Sequence, residues 1–138
     1  MPSTEDILSV CLQLARISQR RRKTMARDRF LLLAAAVAMD LELWGVADLC
    51  RQKILDHNAG HLVRRFGSMR EAVGDPDFDA LVTQLWRKYP FERIEYLLSR
   101  VHPAWASERA RYRTDEAFAR AMLAEDAASA FGDWGHDP

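Results

Sequence analysis

Apolar residues recur along this chain at helical spacing, and nowhere do they alternate over the length of a strand. In "EDILSVCLQLARI", Ile7, Cys11 and Leu14 lie beside Leu8, Leu12 and Ala15, which predicts a first helix with a broad apolar stripe. Ser3 and Thr4 precede it, and Glu5 and Asp6 suit the positive end of its dipole. From Phe30 to Met39 the chain is apolar all round, so this second helix belongs in the middle of a bundle. Ala34, Ala35, Ala36 and Ala38 keep it thin, and Asp40 and Glu42 mark its end. Thr24 is the expected cap at its start.

A third helix is predicted over "LWGVADLCRQKILDHN", with Leu43, Ala47, Cys50 and Ile54 inward. A short loop joins it to the second helix, so the two run antiparallel. "HLVRRFGSMREAV" predicts a weaker helix, interrupted at Gly67, with Ser68 and Glu71 at capping-box spacing. Asp75 followed by Pro76 is a strong start signal for the segment bearing Phe78, Leu81, Val82, Leu85 and Trp86. Pro90 opens another helix, with Phe91, Ile94, Leu97, Leu98 and Val101 inward. Pro103 precedes a long alanine-rich final helix that Thr114 is placed to interrupt. The expectation is an all-α domain over residues 1–131, a single bundle of six or seven helices around the alanine-rich helix at 30–39, followed by a loose tail at 132–138.

Composition narrows the class. The chain has 138 residues, 49% hydrophobic and 29% charged, enough for one globular core. Its 20 basic and 20 acidic residues balance, which argues against a uniformly basic nucleic-acid binder. Two cysteines, Cys11 and Cys50, are too few for a disulfide scaffold. The polar start "MPSTED" is unlike a secretion signal, and no apolar run reaches the length of a membrane span. A cytoplasmic protein, without membrane insertion, is expected.

The segment from Asp28 to His61 resembles one tetratricopeptide-type hairpin: Trp44 stands three positions before the small Ala47, and Ala35 falls where the paired helices cross. Arg51, Ile54 and Ala59 depart from that pattern, and no second copy follows in register. The resemblance implies one helical hairpin over residues 28–61, not a superhelix, because stacked repeats need about three units. The chain is also similar to small bacterial helical proteins, which implies no activity.

Little of the sequence looks like chemistry. His57 and His61 are four apart, and Cys50 precedes His57 by seven; on a continuous helix the three would share a face as metal ligands. The competing reading is a helix stop, since Asn58 and Gly60 favour the left-handed backbone that ends helices. It explains more of the stretch, and no further ligand has matching spacing. Arg20, Arg21, Arg22 and Lys23 close the first helix, where cations suit its dipole. They also offer a face for an acidic protein, for the acidic end of a second copy, or for nucleic-acid phosphates. The acids Glu125, Asp126, Asp133 and Asp137 are a possible complement. Trp105, beside Pro103 and flanked by small residues, is a candidate interface anchor. No phosphate loop, nucleophile elbow, dinucleotide fingerprint or H-E-x-x-H occurs. No cofactor or catalytic residue is therefore expected. The reading is a non-enzymatic interaction module (an adaptor, scaffold or assembly subunit, self-associating in one version), with nucleic-acid binding through residues 20–23 as the alternative.

Overall fold

A computed structural model describes residues 2–124. The elements run α1 (Thr4–Arg20), α2 (Thr24–Asp40), α3 (Trp44–His57), two 3-10 turns (Leu62–Arg65 and Met69–Ala72), α4 (Pro76–Lys88), α5 (Phe91–Val101), α6 (Trp105–Ala110) and α7 (Asp115–Ala124). The described residues thus form an all-α domain of seven helices. The tail at 132–138 and the four C-terminal acids named above lie outside them.

Side-chain caps start α1, α4 and α7. At α1, Ser3 Oγ accepts from the Asp6 amide at 3.0 Å and the Ser3 amide donates back to Asp6 Oδ2 at 3.4 Å, a reciprocal cap. At α4, Asp75 Oδ1 accepts from the Phe78 amide at 2.9 Å, and Pro76 occupies the first turn. Two expected caps are corrected. Lys23, not Thr24, stands at the N-cap of α2, and Ser68 begins its 3-10 turn with no side-chain hydrogen bond. Thr114 does break the last segment: its Oγ1 accepts from the Ala117 amide at 3.0 Å, and the expected long helix becomes α6 and α7.

The core is built on two helices rather than one. α2 is buried all round from Phe30 to Ala35, as its composition requires. α1 is equally enclosed. Leu8, Val10, Cys11, Leu12 and Leu14 are buried, and so are Ser9 and Gln13 on what should be its polar side. The reason is that α1 has neighbours on every side, packing against α2, α5, α6 and α7. Its apolar stripe is therefore covered from Leu8 to Ala15, and Ile7 at its start stays half-exposed. On α3, Ala47, Cys50 and Ile54 face inward as predicted; on α5, Ile94 and Leu98 do, whereas Val101 is exposed.

The two connectors around α2 share one backbone design. Each is three residues long, and the middle residue, Arg22 or Glu42, is left-handed at φ 58°. The Lys23 amide donates to Ser18 O and the Arg22 amide to Gln19 O; twenty residues on, Leu43 donates to Ala38 O and Glu42 to Met39 O. These paired bonds satisfy the last carbonyls of each helix and reverse the chain sharply. Glycine usually fills the left-handed position, and here neither connector has one.

Polar groups dock α6 onto α1. Arg16 grips Glu108 through two hydrogen bonds of 2.6 and 2.7 Å, and His102 Nε2 lies 2.6 Å from the same carboxylate. The Arg16 guanidinium, reinforced by His102, holds the Glu108 carboxyl down at about 2 despite its partial burial. Gln13 Nε2 donates to Trp105 O at 3.0 Å and to Ser9 Oγ at 3.1 Å.

Candidate partner-binding groove

The Asp40 end of α2 opens into a groove of about 630 Å³, bounded by the start of α1, the α2–α3 connector, the segment after the second 3-10 turn, and α4. Its floor and walls follow from amphipathic patterning. Phe78 and Leu85 of α4 are buried against α2, and Val82 and Trp86, one step round the helix, are left half-covered. Trp44, at the first position of α3, lines the same groove, as do Ile7 and Met39. Val73 stands 62% exposed at the lip. Gly74 follows it at φ 78°, a left-handed turn that lets the chain enter α4.

The charged lining is all acidic: Asp40, Glu42 and Asp79. None of the three forms an ion pair among the described residues, as is also true of Glu5, Asp6, Asp48, Asp56, Glu71, Glu92 and Glu95. Asp40 is also the final residue of α2, whose last turn carries no base. A carboxylate there faces the negative end of the helix dipole, an arrangement worth avoiding for stability alone. Arg70 stands nearby, its guanidinium carbon 4.4 Å from the centre of the Trp44 ring. On the other side of the connector a second recess of about 800 Å³ carries Glu5, Asp115 and Glu116, with Arg120. This end of the molecule is acidic.

The basic run occupies the opposite end of α2. Arg20 closes α1, Arg21 caps it, Arg22 takes the left-handed position and Lys23 begins the next helix. The four are brought together on one connector, and Arg21, Arg22 and Lys23 are exposed. Arg20 and Arg22 engage other groups, whereas Arg21 and Lys23 make no ion pair among the described residues. α2 has 17 residues, so about 25 Å separates this run from the acidic groove.

Trp105 is half-buried in the first turn of α6, and its indole N–H donates to Ser99 Oγ at 3.1 Å. Much of the ring thus serves internal docking. The histidine stretch is not assembled as a metal site. Cys50 is wholly buried, where burial pushes its thiol up to about 12. His57 ends α3 with its Nδ1 2.6 Å from Asp28 Oδ2; Asp28 is held in turn by Arg27 at 3.0 Å. His61 Nδ1 accepts from the Val63 amide at 3.1 Å, capping the 3-10 turn, and burial lowers its pKa. Both histidines border a recess of about 230 Å³, yet no cluster of three or more His, Cys, Asp or Glu is placed to hold a metal among the described residues. The helix does stop here, but not by the expected left-handed turn: Asn58 has φ −134°, and among the glycines only Gly74 has positive φ in the described residues.

Sequence reasoning missed the acidic groove. Asp40 and Glu42 read as helix-end punctuation, and Asp79 lies in the first turn of α4, where an acid suits the dipole. The legible hint was their placement, two acids at a helix C-terminus with no base to offset them. In comparisons with known proteins, no family model, no curated protein and no solved structure matches the chain.

Proposed function

We propose that this chain is a non-enzymatic protein-interaction module, an adaptor or assembly subunit, whose partner face is the acidic groove at the Asp40 end of α2. The observation that carries the reading is the coincidence there of two half-exposed tryptophans, Trp44 and Trp86, an exposed valine and three unpaired carboxylates. Exposed apolar surface costs solubility, and bordered by charge it is the usual anatomy of an interface. The resemblance of residues 28–61 to one tetratricopeptide-type hairpin is in keeping with this reading, although one hairpin is no binding superhelix. Two free, buried cysteines fit a reducing, cytoplasmic setting. No described helix is long and apolar enough to cross a membrane.

The test is affinity capture with wild-type protein and with Val73→Lys, which places a cation at the exposed lip without touching the core. A specific partner retained by the first and lost from the second supports the reading; identical recovery refutes the groove as the face.

Exposed Arg21 and Lys23 favour a second reading, nucleic-acid binding through residues 20–23. Titration with DNA and RNA at two salt concentrations separates the two. Binding that weakens steeply with salt and vanishes when Arg20, Arg21, Arg22 and Lys23 are neutralised belongs to the second reading.

A further inference from the structure

We infer that the groove accepts a cationic segment of a partner protein that also carries bulky apolar side chains. The inference rests on the interaction reading above and adds the chemistry of the partner.

Two features of the groove favour a positive occupant. Every ionisable side chain lining it is a carboxylate, and Asp40, Glu42 and Asp79 form no ion pair among the described residues. The α2 carbonyls end beside Asp40, so the helix dipole adds to the negative field instead of offsetting it. Asp40 is thus kept at a position that the helix dipole disfavours, and a bound cation would offset its charge. Trp44 already stacks one guanidinium, that of Arg70, which shows that its ring can take such a group face-on.

The apolar requirement comes from the lip and the α4 wall. Val73, Val82 and Trp86 leave a concave surface that a purely polar basic peptide would not fill. Basic side chains on the rim would set orientation and encounter rate, and the apolar anchors would set residence time.

Selection of random displayed peptides on the full chain, with counter-selection on Val73→Lys, tests this directly. Enriched peptides should combine Arg or Lys with Leu, Met or aromatic residues. Their affinity should fall about tenfold with the triple variant Asp40→Asn, Glu42→Gln, Asp79→Asn, which changes charge at exposed sites and leaves the core intact. It should also fall with added salt. Circular-dichroism melts of both variants confirm that they are folded. Enriched peptides that are neutral or acidic, or cationic ones indifferent to the triple variant, overturn this inference while leaving an interaction module standing. Failure to enrich any peptide, with salt-sensitive self-association lost in the triple variant, puts a second copy in the groove and also overturns it. Failure to enrich, with no self-association, overturns both readings.

Discussion

Replacing Glu42 by glycine should stabilise this protein, although it removes a side chain and adds nothing. At φ 58° an L-residue pays about 1–2 kcal/mol for crowding between Cβ and the backbone, and glycine does not. Glycine also loses more freedom on folding, an opposing effect of about 0.5–1 kcal/mol. The net gain is about 0.5–1 kcal/mol. Glu42→Ala is the control, because it deletes the same charge yet keeps Cβ. Glu42→Gly should therefore be about 1 kcal/mol more stable than Glu42→Ala, a difference of roughly 3–4 °C in melting temperature for a chain of this size. Arg22→Gly against Arg22→Ala should repeat the result at the other end of α2. About 25 Å separates the sites, so the two gains should add. Arg22 has further interactions, and Glu42 is the cleaner position. Calorimetry on the four single variants and the double glycine variant measures all of this. If glycine is no better than alanine at residue 42, the left-handed connector is not formed and the packing of α2 against α3 must be redrawn. Glu42→Gly and Glu42→Ala should weaken a cationic ligand of the groove equally, because both remove the same lining carboxylate.

Further predictions follow from particular contacts. Glu108→Gln leaves Arg16 mostly enclosed without its counter-charge and should cost about 2 kcal/mol at neutral pH, less than the roughly 3–5 of a fully buried pair. Because the folded-state pKa is depressed, the contribution of Glu108 is complete above about 4.5 and is lost as pH falls towards about 2. Urea midpoints of wild type and Glu108→Gln should therefore converge in acid, and a gap independent of pH would disprove the ion pair. Ser3→Ala should remove about 1 kcal/mol by opening the reciprocal cap, read from a thermal melt. Gly74→Ala meets no atom within 4 Å, so its cost of about 1 kcal/mol should be backbone strain alone, seen as a lower urea midpoint with an unchanged slope.

Helix content and most helix starts were legible in the chain because they depend on neighbours three or four residues away. Ser3, Asp75 and Thr114 accept from amides within their own first turn, Pro76 brings a φ already set for a helix start, and the enclosed run at Phe30–Ala35 needs no partner's identity to declare itself apolar all round. Other features depend on groups brought together from far along the chain. Gln13 and Ser9 read as the solvent side of α1 until α6 arrives, 92 residues later, to accept from Gln13. The left-handed positions at Arg22 and Glu42 carry no glycine to announce them; they are imposed by helices that must turn back within three residues to bury their shared face. The groove is the strongest case. Thr4, Asp40, Trp44, Val73, Asp79 and Trp86 have no mutual pattern in sequence, and only the packing of α4 beside the end of α2 makes them one surface. Periodicity records which side of a helix avoids water, a local property of one element. Which carboxylates share a field is set by distances between elements, and those exist only once the core has closed.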